Sequence, residues 1–265
     1  MDGRSNALRM ADLAMGLPRA PRRRVDAPTP VAPQPCADEP PSRPAQPQAQ
    51  VKPAATRPPS AIAAVTSPDA RHEALERLRE RHDRECAHCT TAKGHTRTVF
   101  GEGDPCARLL FVGEAPGETE DRVGRPFVGR AGEKLDEMIA AMGLHRERTY
   151  IANVLKSRPP DNRTPLQHEV EACGPWLFEQ IRIVRPEVIV TLGGPATKLL
   201  LGVEEGITRL RGTWQRWTDP AGGLEIPLMP TYHPAYLLRN YTPKTRGEVW
   251  SDLQAVMAAL GLGRG

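Results

Sequence analysis

Short apolar runs and longer amphipathic segments alternate along the chain from residue 72 onward. The runs lack the alternation of a half-exposed strand, which is typical of strands buried on both faces. They predict strands at Leu109–Val112, Tyr150–Leu155 and Val188–Leu192, and a fourth that ends near Met229. The amphipathic segments predict helices at His72–Glu85, Gly132–Met142, Pro165–Val184, Pro195–Leu201 and Thr245–Leu260. This order predicts the α/β class, as a three-layer α/β/α sandwich with a mainly parallel central sheet.

The helix Pro165–Val184 has the clearest start signal. Thr164 is the expected N-cap, Pro165 occupies the first helical position, and Gln167 is placed to complete a capping box. Apolar residues then recur at helical spacing and form the inner face: Val170, Cys173, Leu177, Ile181 and Val184. We expect this face to pack against the sheet.

Composition divides the chain near residue 70. Half of the 28 prolines lie in the first 68 residues, where almost no aromatic or β-branched cluster could seed a core. We therefore expect a disordered Pro/Ala/Arg-rich tail at residues 1–70, whose partners the sequence does not identify, and one domain at residues 71–265. The first residues contain no apolar run suited to a signal peptide, and no segment approaches the ~18 apolar residues of a membrane span. We expect a soluble, cytoplasmic protein with no membrane partner.

The net charge of +4 is too small to indicate a nucleic-acid partner by itself. The cluster Arg22–Arg24 in the tail is typical of a solvated linker, with non-specific attraction to DNA as the other interpretation. Basic residues of the domain concentrate in or beside its loops, at Arg122, Arg125, Arg130, Lys156, Arg158, Arg163, Arg239, Lys244 and Arg246. Each is a candidate phosphate contact or an ordinary surface cation.

A glycine-rich loop follows the first buried strand. The stretch LFVGEAPGETEDRVGRPFVGRAG from Leu110 combines glycines, acids, bases and one aromatic residue, Phe127. Glycines permit close approach of the backbone to a ligand, and loops at the carboxyl ends of parallel strands are the usual ligand sites. The loop is therefore expected to line a pocket.

The motifs in this loop resemble the first motif of the family 4 uracil-DNA glycosylases, through GEAPG, ED and GRPFVGRAG at fixed spacing. Later segments agree in order: NVLKSRPPDNRTP from Asn153, CGPWL from Cys173, VIVTLG from Val188 and PTYHPAYLLRN from Pro230. The resemblance spans residues 85–260. It implies a monomeric, monofunctional enzyme that hydrolyses the N-glycosidic bond of deoxyuridine in single- and double-stranded DNA, the first step of base excision repair.

The resemblance also implies which residues bind the base. Phe127 would stack on a flipped-out uracil, Asn153 would read its N3 and O4 edge, and His233 would donate a hydrogen bond to O2 as negative charge develops. Ala115 and Gly117 would line the same site. On the residues alone, a core phenylalanine, a turn-capping asparagine and a structural histidine are the alternatives.

Three further residues are implied to serve the chemistry alongside His233. Glu120 matches a glutamate near C5 of the base, where bulk excludes the methyl group of thymine. Asn162 matches an asparagine that helps to position the attacking water, and Glu114 is an acid whose backbone or carboxylate could matter. Ala115 stands where the best-known branch of the superfamily has a water-orienting aspartate, so catalysis is expected to depend on binding and charge stabilisation.

The cysteines form a second constellation. The CxxC pair Cys86 and Cys89 favours a metal or redox role over a structural disulfide. The family resemblance implies a [4Fe-4S] cluster held by this pair, by Cys173 and by a fourth ligand at position 157. Ser157 occupies that position, and a serine oxygen is a poor cluster ligand. Of the other cysteines, Cys106 is the alternative fourth ligand, and Cys36 lies in the tail.

Other functions remain open on the sequence. The main alternative is a non-catalytic module that binds DNA or a repair partner on the same fold. A relative that traps DNA covalently through a histidine after Asn153 is disfavoured, because no histidine lies between Leu155 and Pro165. A nucleotide-binding enzyme is disfavoured because neither GxGxxG nor GxxxxGK[ST] follows the first strand.

Overall fold

The computed structural model describes residues 67–262. The tail expected at residues 1–70 lies almost entirely outside the described residues, so its disorder and the domain boundary stay predictions. The strands are β1 Glu102–Gly103, β2 Leu109–Gly113, β3 Tyr150–Asn153, β4 Val188–Leu192, β5 Gln215–Thr218 and β6 Glu225–Thr231. The helices are α1 Pro68–Glu85, α2 Glu118–Val123, α3 Arg130–Ala141, α4 Gln167–Val184, α5 Gly194–Leu201, α6 Ile207–Leu210, α7 Pro234–Arg239 and α8 Pro243–Ala259. Short 3-10 turns occur at Arg146–Arg148 and Pro160–Asn162.

The strands form one sheet in the order β1-β3-β2-β4-β6-β5. The four inner strands are parallel, and both edge strands pair antiparallel with their neighbours. The mainly parallel sheet is therefore confirmed. The two edge strands were not predicted, because they are short and carry polar residues rather than an apolar run.

Each inner strand contributes to two separate cores. In β2, Leu110 and Val112 pack with residues of α1, α4 and α5, whereas Leu109 and Phe111 pack with residues of α3 and α8. Successive side chains of a strand point to opposite faces, so helices cover both faces of the sheet. The three-layer α/β/α sandwich is confirmed, and the carboxyl ends of β2, β3, β4 and β6 meet at one edge.

The predicted start of α4 is wrong. The helix begins at Gln167 with Leu166 in the N-cap position, two residues later than expected. The carboxylate of Glu169 accepts a hydrogen bond from the backbone N–H of Leu166 at 2.8 Å, which is the half of a capping box that an N3 glutamate supplies. Glu169 also pairs with Arg163, so the acid three residues into the helix fixes its start, not Thr164.

None of the described helices is long and apolar enough to cross a membrane. The cytoplasmic location stays a prediction.

Candidate active site and metal centre

A cavity of about 400 Å³ opens at the carboxyl edge of the sheet, among the loops that follow β2, β3 and β6. Its lining includes every residue that the sequence implicated in base binding or chemistry: Glu114, Ala115, Gly117, Glu120, Phe127, Asn153, Asn162 and His233. These residues come from segments up to 119 positions apart in the sequence, from Glu114 to His233. The fold thus brings the predicted site residues to one place.

Asn153 is the last residue of β3 and is almost fully buried, with 1% of its surface exposed. Its side-chain oxygen Oδ1 has no hydrogen-bond partner. Buried polar atoms are nearly always satisfied, so an orphaned acceptor in a cavity wall is available to a ligand. Gly113 makes room for the amide, since a Cβ there would lie 2.3 Å from Asn153 Oδ1.

Phe127 is held in a backbone conformation that phenylalanine rarely adopts, with φ of 50°. Arg146 fixes this conformation by donating a hydrogen bond to the carbonyl of Phe127 at 3.0 Å and another to that of Pro126. Gly132 permits the close packing, because a Cβ there would clash with the Phe127 carbonyl. The phenylalanine ring lies 5.6 Å from the ring of His233, so both face the same cavity. Sequence reasoning missed Arg146, which lies outside every motif.

The carboxylate of Glu120 also holds the loop that carries Phe127. Its Oε1 accepts hydrogen bonds from the backbone N–H groups of Val128 at 2.9 Å and Gly129 at 2.8 Å. One carboxylate oxygen is therefore committed to holding the segment after Phe127. This contact supports a positioning role for Glu120, in addition to the bulk that the family resemblance implies near C5.

His233 is the N-cap of α7, a helix that the sequence did not predict. Its Nδ1 accepts a hydrogen bond from the backbone N–H of Ala235 at 3.1 Å. Burial and, to a smaller extent, the nearby Arg239 lower the pKa of His233 to about 4, against a small opposing effect of Glu120. The imidazole is therefore neutral near pH 7, and its single N–H is on Nε2.

Two polar residues flank the outer part of the cavity. Asn162 is exposed and has φ of 53°, and its Oδ1 accepts a hydrogen bond from Arg158 Nε at 2.8 Å. The carboxyl group of Glu114 has its pKa raised by burial, while its backbone carbonyl accepts from Leu155 N–H at 3.1 Å. The Glu114 backbone therefore ties the loop after β2 to the end of β3, and the part of Glu114 in the chemistry stays a prediction.

The candidate metal centre lies on the opposite side of β3 from Phe127, in the core between α1 and α4. Cys173 Sγ lies 3.6 Å from Cys86 Sγ and 3.4 Å from Cys89 Sγ, and all three thiols are free and buried. Hydrogen bonds from Cys173 and Cys89 lower the pKa of the Cys86 thiol, which favours the thiolate that metals bind. Among the described residues, Cys106 is not part of this group.

The predicted fourth position and a histidine both adjoin the thiols. Ser157 Oγ lies 3.4 Å from Cys89 Sγ, as the resemblance implied. His82 was missed, yet it forms with the three cysteines a group whose ligand atoms all lie within 4.8 Å of one another. The spacing of His82 and Cys86, four residues apart at the end of an amphipathic helix, was the signal available in the sequence. The donors can hold a metal.

The distances between the three sulfur atoms indicate which kind of metal group the cysteines can hold. Two sulfurs bound at about 2.3 Å to one tetrahedral ion lie ~3.8 Å apart, close to the distances here. In a [4Fe-4S] cluster each thiolate binds a different iron, so the three cysteine side chains must move apart to receive it. The thiol donors suit either a single tetrahedral ion or a [4Fe-4S] cluster. Ser157 stands where the family has its fourth cysteine ligand.

Lys156 follows β3 and is fully buried. Its Nζ donates hydrogen bonds to the backbone carbonyl of Asn153 at 2.7 Å and to Gln180 Oε1 at 2.5 Å. Burial lowers the pKa of Lys156 to about 7. This lysine, predicted as a phosphate contact, cannot reach DNA and instead supports the end of β3 from beneath.

Comparisons with known proteins agree with this geometry. The family model of the uracil DNA glycosylase superfamily matches residues 100–254. The type-4 uracil-DNA glycosylase of Thermotoga maritima is 45% identical over 185 residues, which cover 69% of this chain and 93% of that protein. The type-4 enzyme of Sulfurisphaera tokodaii is 42% identical over 69% of this chain and 84% of that protein. A type-5 uracil-DNA glycosylase of Pyrobaculum aerophilum is 32% identical over 58% of this chain and 74% of that protein. The resemblance seen in the sequence is thus confirmed, and the chain belongs to the uracil-DNA glycosylase superfamily.

Proposed function

We propose that this protein is a monofunctional uracil-DNA glycosylase that hydrolyses the N-glycosidic bond of deoxyuridine in DNA and so starts base excision repair. One observation gives this proposal its strongest support. The orphaned acceptor of Asn153, the ring of Phe127 and the neutral imidazole of His233 line a single cavity. Those are the parts needed to read, stack and release uracil.

Recognition follows from the hydrogen-bonding pattern of the base. Uracil presents a donor at N3 and an acceptor at O4, which match the carbonyl and NH₂ groups of the Asn153 side chain. Cytosine has an acceptor at N3 and a donor at C4, so the same amide orientation opposes it. A site that leaves its own buried polar groups unpaired discriminates strongly against the wrong ligand. Phe127, fixed by Arg146 and Glu120, supplies the surface on which an extruded base stacks.

His233 supports the bond-breaking step. As the N-glycosidic bond lengthens, negative charge develops on uracil and is greatest at its oxygens. The Nε2–H of a neutral imidazole donates to O2 without the desolvation that a buried cation would require. The Ala235 contact holds the tautomer, so the donor needs no reorganisation when the charge appears.

The water that attacks the sugar needs a positioning group. Ala115 cannot act in this way, whereas the side chain of Asn162 retains its NH₂ donor while Arg158 holds its oxygen. We assign water positioning to Asn162. Glu114 sits in the same cavity with a raised pKa and serves mainly through its backbone.

The product is an abasic site in an uncut strand. Among the described residues that line the cavity no lysine is present to form a Schiff base. Lys156, the nearest lysine in sequence to Asn153, has its amine occupied by two buried acceptors. The protein is therefore monofunctional, and a water molecule is the only nucleophile required.

DNA is the substrate that the family implies, in single- and double-stranded form, with the protein acting as a monomer. The predicted phosphate contacts divide in the structure. Arg125 pairs with Glu102, and Arg163, which lines the cavity, pairs with Glu169. Arg239 lines the same cavity and is exposed. Arg239 is therefore the best-placed cation for the phosphate beside an extruded nucleotide.

The cysteine centre is proposed to hold the [4Fe-4S] cluster that the family resemblance implies. Cys86, Cys89 and Cys173 would supply three thiolates. The centre would stabilise the packing of α1 against α4, with no part in electron transfer during base release.

The test is incubation of purified protein with an oligonucleotide that contains one uracil, followed by alkali. We expect cleavage at the uracil position only after alkali, and none in an otherwise identical thymine oligonucleotide. Asn153→Ala should release uracil at least ~100-fold more slowly. Strand cleavage without alkali would refute the monofunctional assignment, and absence of release from folded protein would refute the enzyme.

A further inference from the structure

We propose that the metal centre of this protein is a Cys₃His site in which His82, through Nε2, is the fourth ligand beside Cys86, Cys89 and Cys173. The inference rests on the proposed metal centre. It is independent of the uracil chemistry, and it concerns the donor set whether that set holds an iron–sulfur cluster or a single tetrahedral ion.

His82 has a buried nitrogen whose neighbours are cysteine thiols. The side chain is fully buried, and Nε2 makes no hydrogen bond of acceptable geometry, although Cys86 and Cys89 lie close enough to interact with the ring. Orphaned buried nitrogens are rare in folded proteins, because losing water without a replacement partner costs about 1–3 kcal/mol. Three cysteine sulfurs lie within 4.8 Å of a ring nitrogen of this histidine. A bound metal satisfies that nitrogen and the thiolates together.

The other nitrogen of the ring is already engaged. Nδ1 lies 2.9 Å from Asp83 Oδ1, and the same carboxylate oxygen accepts a hydrogen bond from Thr98 Oγ1 at 2.8 Å. A carboxylate on one ring nitrogen orients the imidazole and directs the lone pair of the other nitrogen to the metal. This is the usual arrangement around a metal-binding histidine.

Packing holds the ring in this orientation. The imidazole lies between Phe100, at 5.5 Å between ring centroids, and Trp176, at 5.3 Å in an edge-to-face arrangement. Backbone geometry adds a second constraint, since the N–H of Cys86 donates to the carbonyl of His82 at 2.9 Å at the end of α1. Residues four apart share one face of a helix, so a single helical turn presents both ligands.

Ser157 is the competing fourth ligand, and its chemistry is the weaker. A serine hydroxyl must lose a proton at far higher cost than a thiol, whereas a neutral imidazole binds zinc and iron–sulfur irons as it stands. The thiol of Cys89 donates a hydrogen bond to Ser157 Oγ at 3.4 Å. When Cys89 binds a metal as a thiolate it has lost that proton, and the serine hydroxyl then becomes the donor. His82 thus replaces the missing thiolate, and Ser157 supports a ligand.

The substitution changes the charge of the centre. Three thiolates and a neutral imidazole carry one negative charge less than four thiolates. In an iron–sulfur cluster, exchange of thiolate for imidazole raises the reduction potential. A cluster in this protein is therefore easier to reduce than one with four thiolates.

Matched variants separate the two candidate ligands. Iron, acid-labile sulfide and zinc are measured per chain after anaerobic purification, and metal retention is followed against a chelator. Ser157→Ala should retain the metal like the parent, and His82→Ala should lose it about tenfold more readily or faster. The double variant His82→Ala with Ser157→Cys should regain retention. Equal retention in His82→Ala and the parent, or loss confined to Ser157→Ala, overturns the proposal.

Spectroscopy of the unaltered protein tests the ligand assignment even if the His82→Ala variant fails to fold. If iron and sulfide are found, the reduced cluster in protein labelled with ¹⁵N-histidine should show a strong nitrogen hyperfine coupling in pulsed electron paramagnetic resonance. If zinc is found, X-ray absorption should show three sulfurs and the scattering of one imidazole ring. A histidine that only donates a hydrogen bond to a thiolate lacks both signatures and overturns the proposal, as does metal-free protein. Uracil release, measured separately, reports on the proposed function.

Discussion

Replacing His233 by alanine removes the donor that we propose faces uracil O2 and leaves the rest of the cavity in place. The side chain caps the short helix α7 and makes one backbone hydrogen bond. Removal of a single donor to a developing oxyanion costs roughly 3–4 kcal/mol of transition-state stabilisation, or ~10²–10³ in rate. The loss of one helix cap costs only about 1 kcal/mol of folding free energy. Catalysis should therefore suffer far more than folding.

The assay is single-turnover release of uracil from an oligonucleotide, with enzyme in excess so that product release does not limit the rate. His233→Gln keeps an N–H donor and should recover part of the rate. His72→Ala, an exposed histidine on α1, is the matched control and should react like the parent. A His233→Ala variant within threefold of the parent rate would refute the role assigned to this histidine.

The pH dependence follows from the same residue. Burial lowers the pKa of His233 to about 4, so the catalytic neutral form is present from about pH 5 upward and is lost below pH 4. The unfolded chain binds a proton with the ordinary pKa of about 6.5. Between pH 6.5 and 4 the unfolded state holds more protons at this site, so stability contributed by His233 falls as the pH is lowered. A catalytic acid limb near pH 6.5 would show that the imidazole is not buried in its neutral form.

Three other changes test the walls of the cavity and the extent of the catalytic unit. Gly113→Ala should abolish uracil release in a folded protein, judged by circular dichroism, because its Cβ would lie 2.3 Å from Asn153 Oδ1; an active variant would contradict the close packing. Arg146→Ala should lower the free energy of unfolding in urea by about 3–5 kcal/mol, because Glu102 loses its most buried partner. It should also slow uracil release, because the carbonyl of Phe127 loses its hydrogen bond. Unchanged values would contradict both roles of Arg146. Deletion of residues 1–66 should leave the release rate unaltered, because the assigned residues all lie in the described range; a collapse in rate would place the tail in the site.

Sequence patterns predicted the parts of the fold that local chemistry determines. The apolar runs became β2, β3, β4 and β6, and their shared carboxyl edge carries the cavity. The start of α4 was wrong, because the ion pair between Glu169 and Arg163 outweighs the capping preference of Thr164. An ion pair between two side chains decides here between two possible starts of the helix. The capping preferences of single residues do not include such a contact.

The residues of the proposed site were named from the sequence and line one cavity, but the contacts that hold them in place were not predicted. The resemblance supplied Phe127 and Asn153, but the positive φ of Phe127 depends on Arg146, which reaches the loop from 19 residues away. His82 was overlooked because the CxxC pair and position 157 drew the metal assignment to a four-cysteine pattern. The contact between Arg146 and the Phe127 loop follows from the assembled fold, and no spacing in the chain predicts it.

The most direct test of the central claim is the structure of the protein bound to DNA that carries a non-hydrolysable deoxyuridine analogue. The account predicts uracil stacked on Phe127, with N3 within about 3 Å of Asn153 Oδ1 and O2 at a similar distance from His233 Nε2. A base bound in the cavity without these two contacts, or a uracil that stays within the duplex, would contradict it.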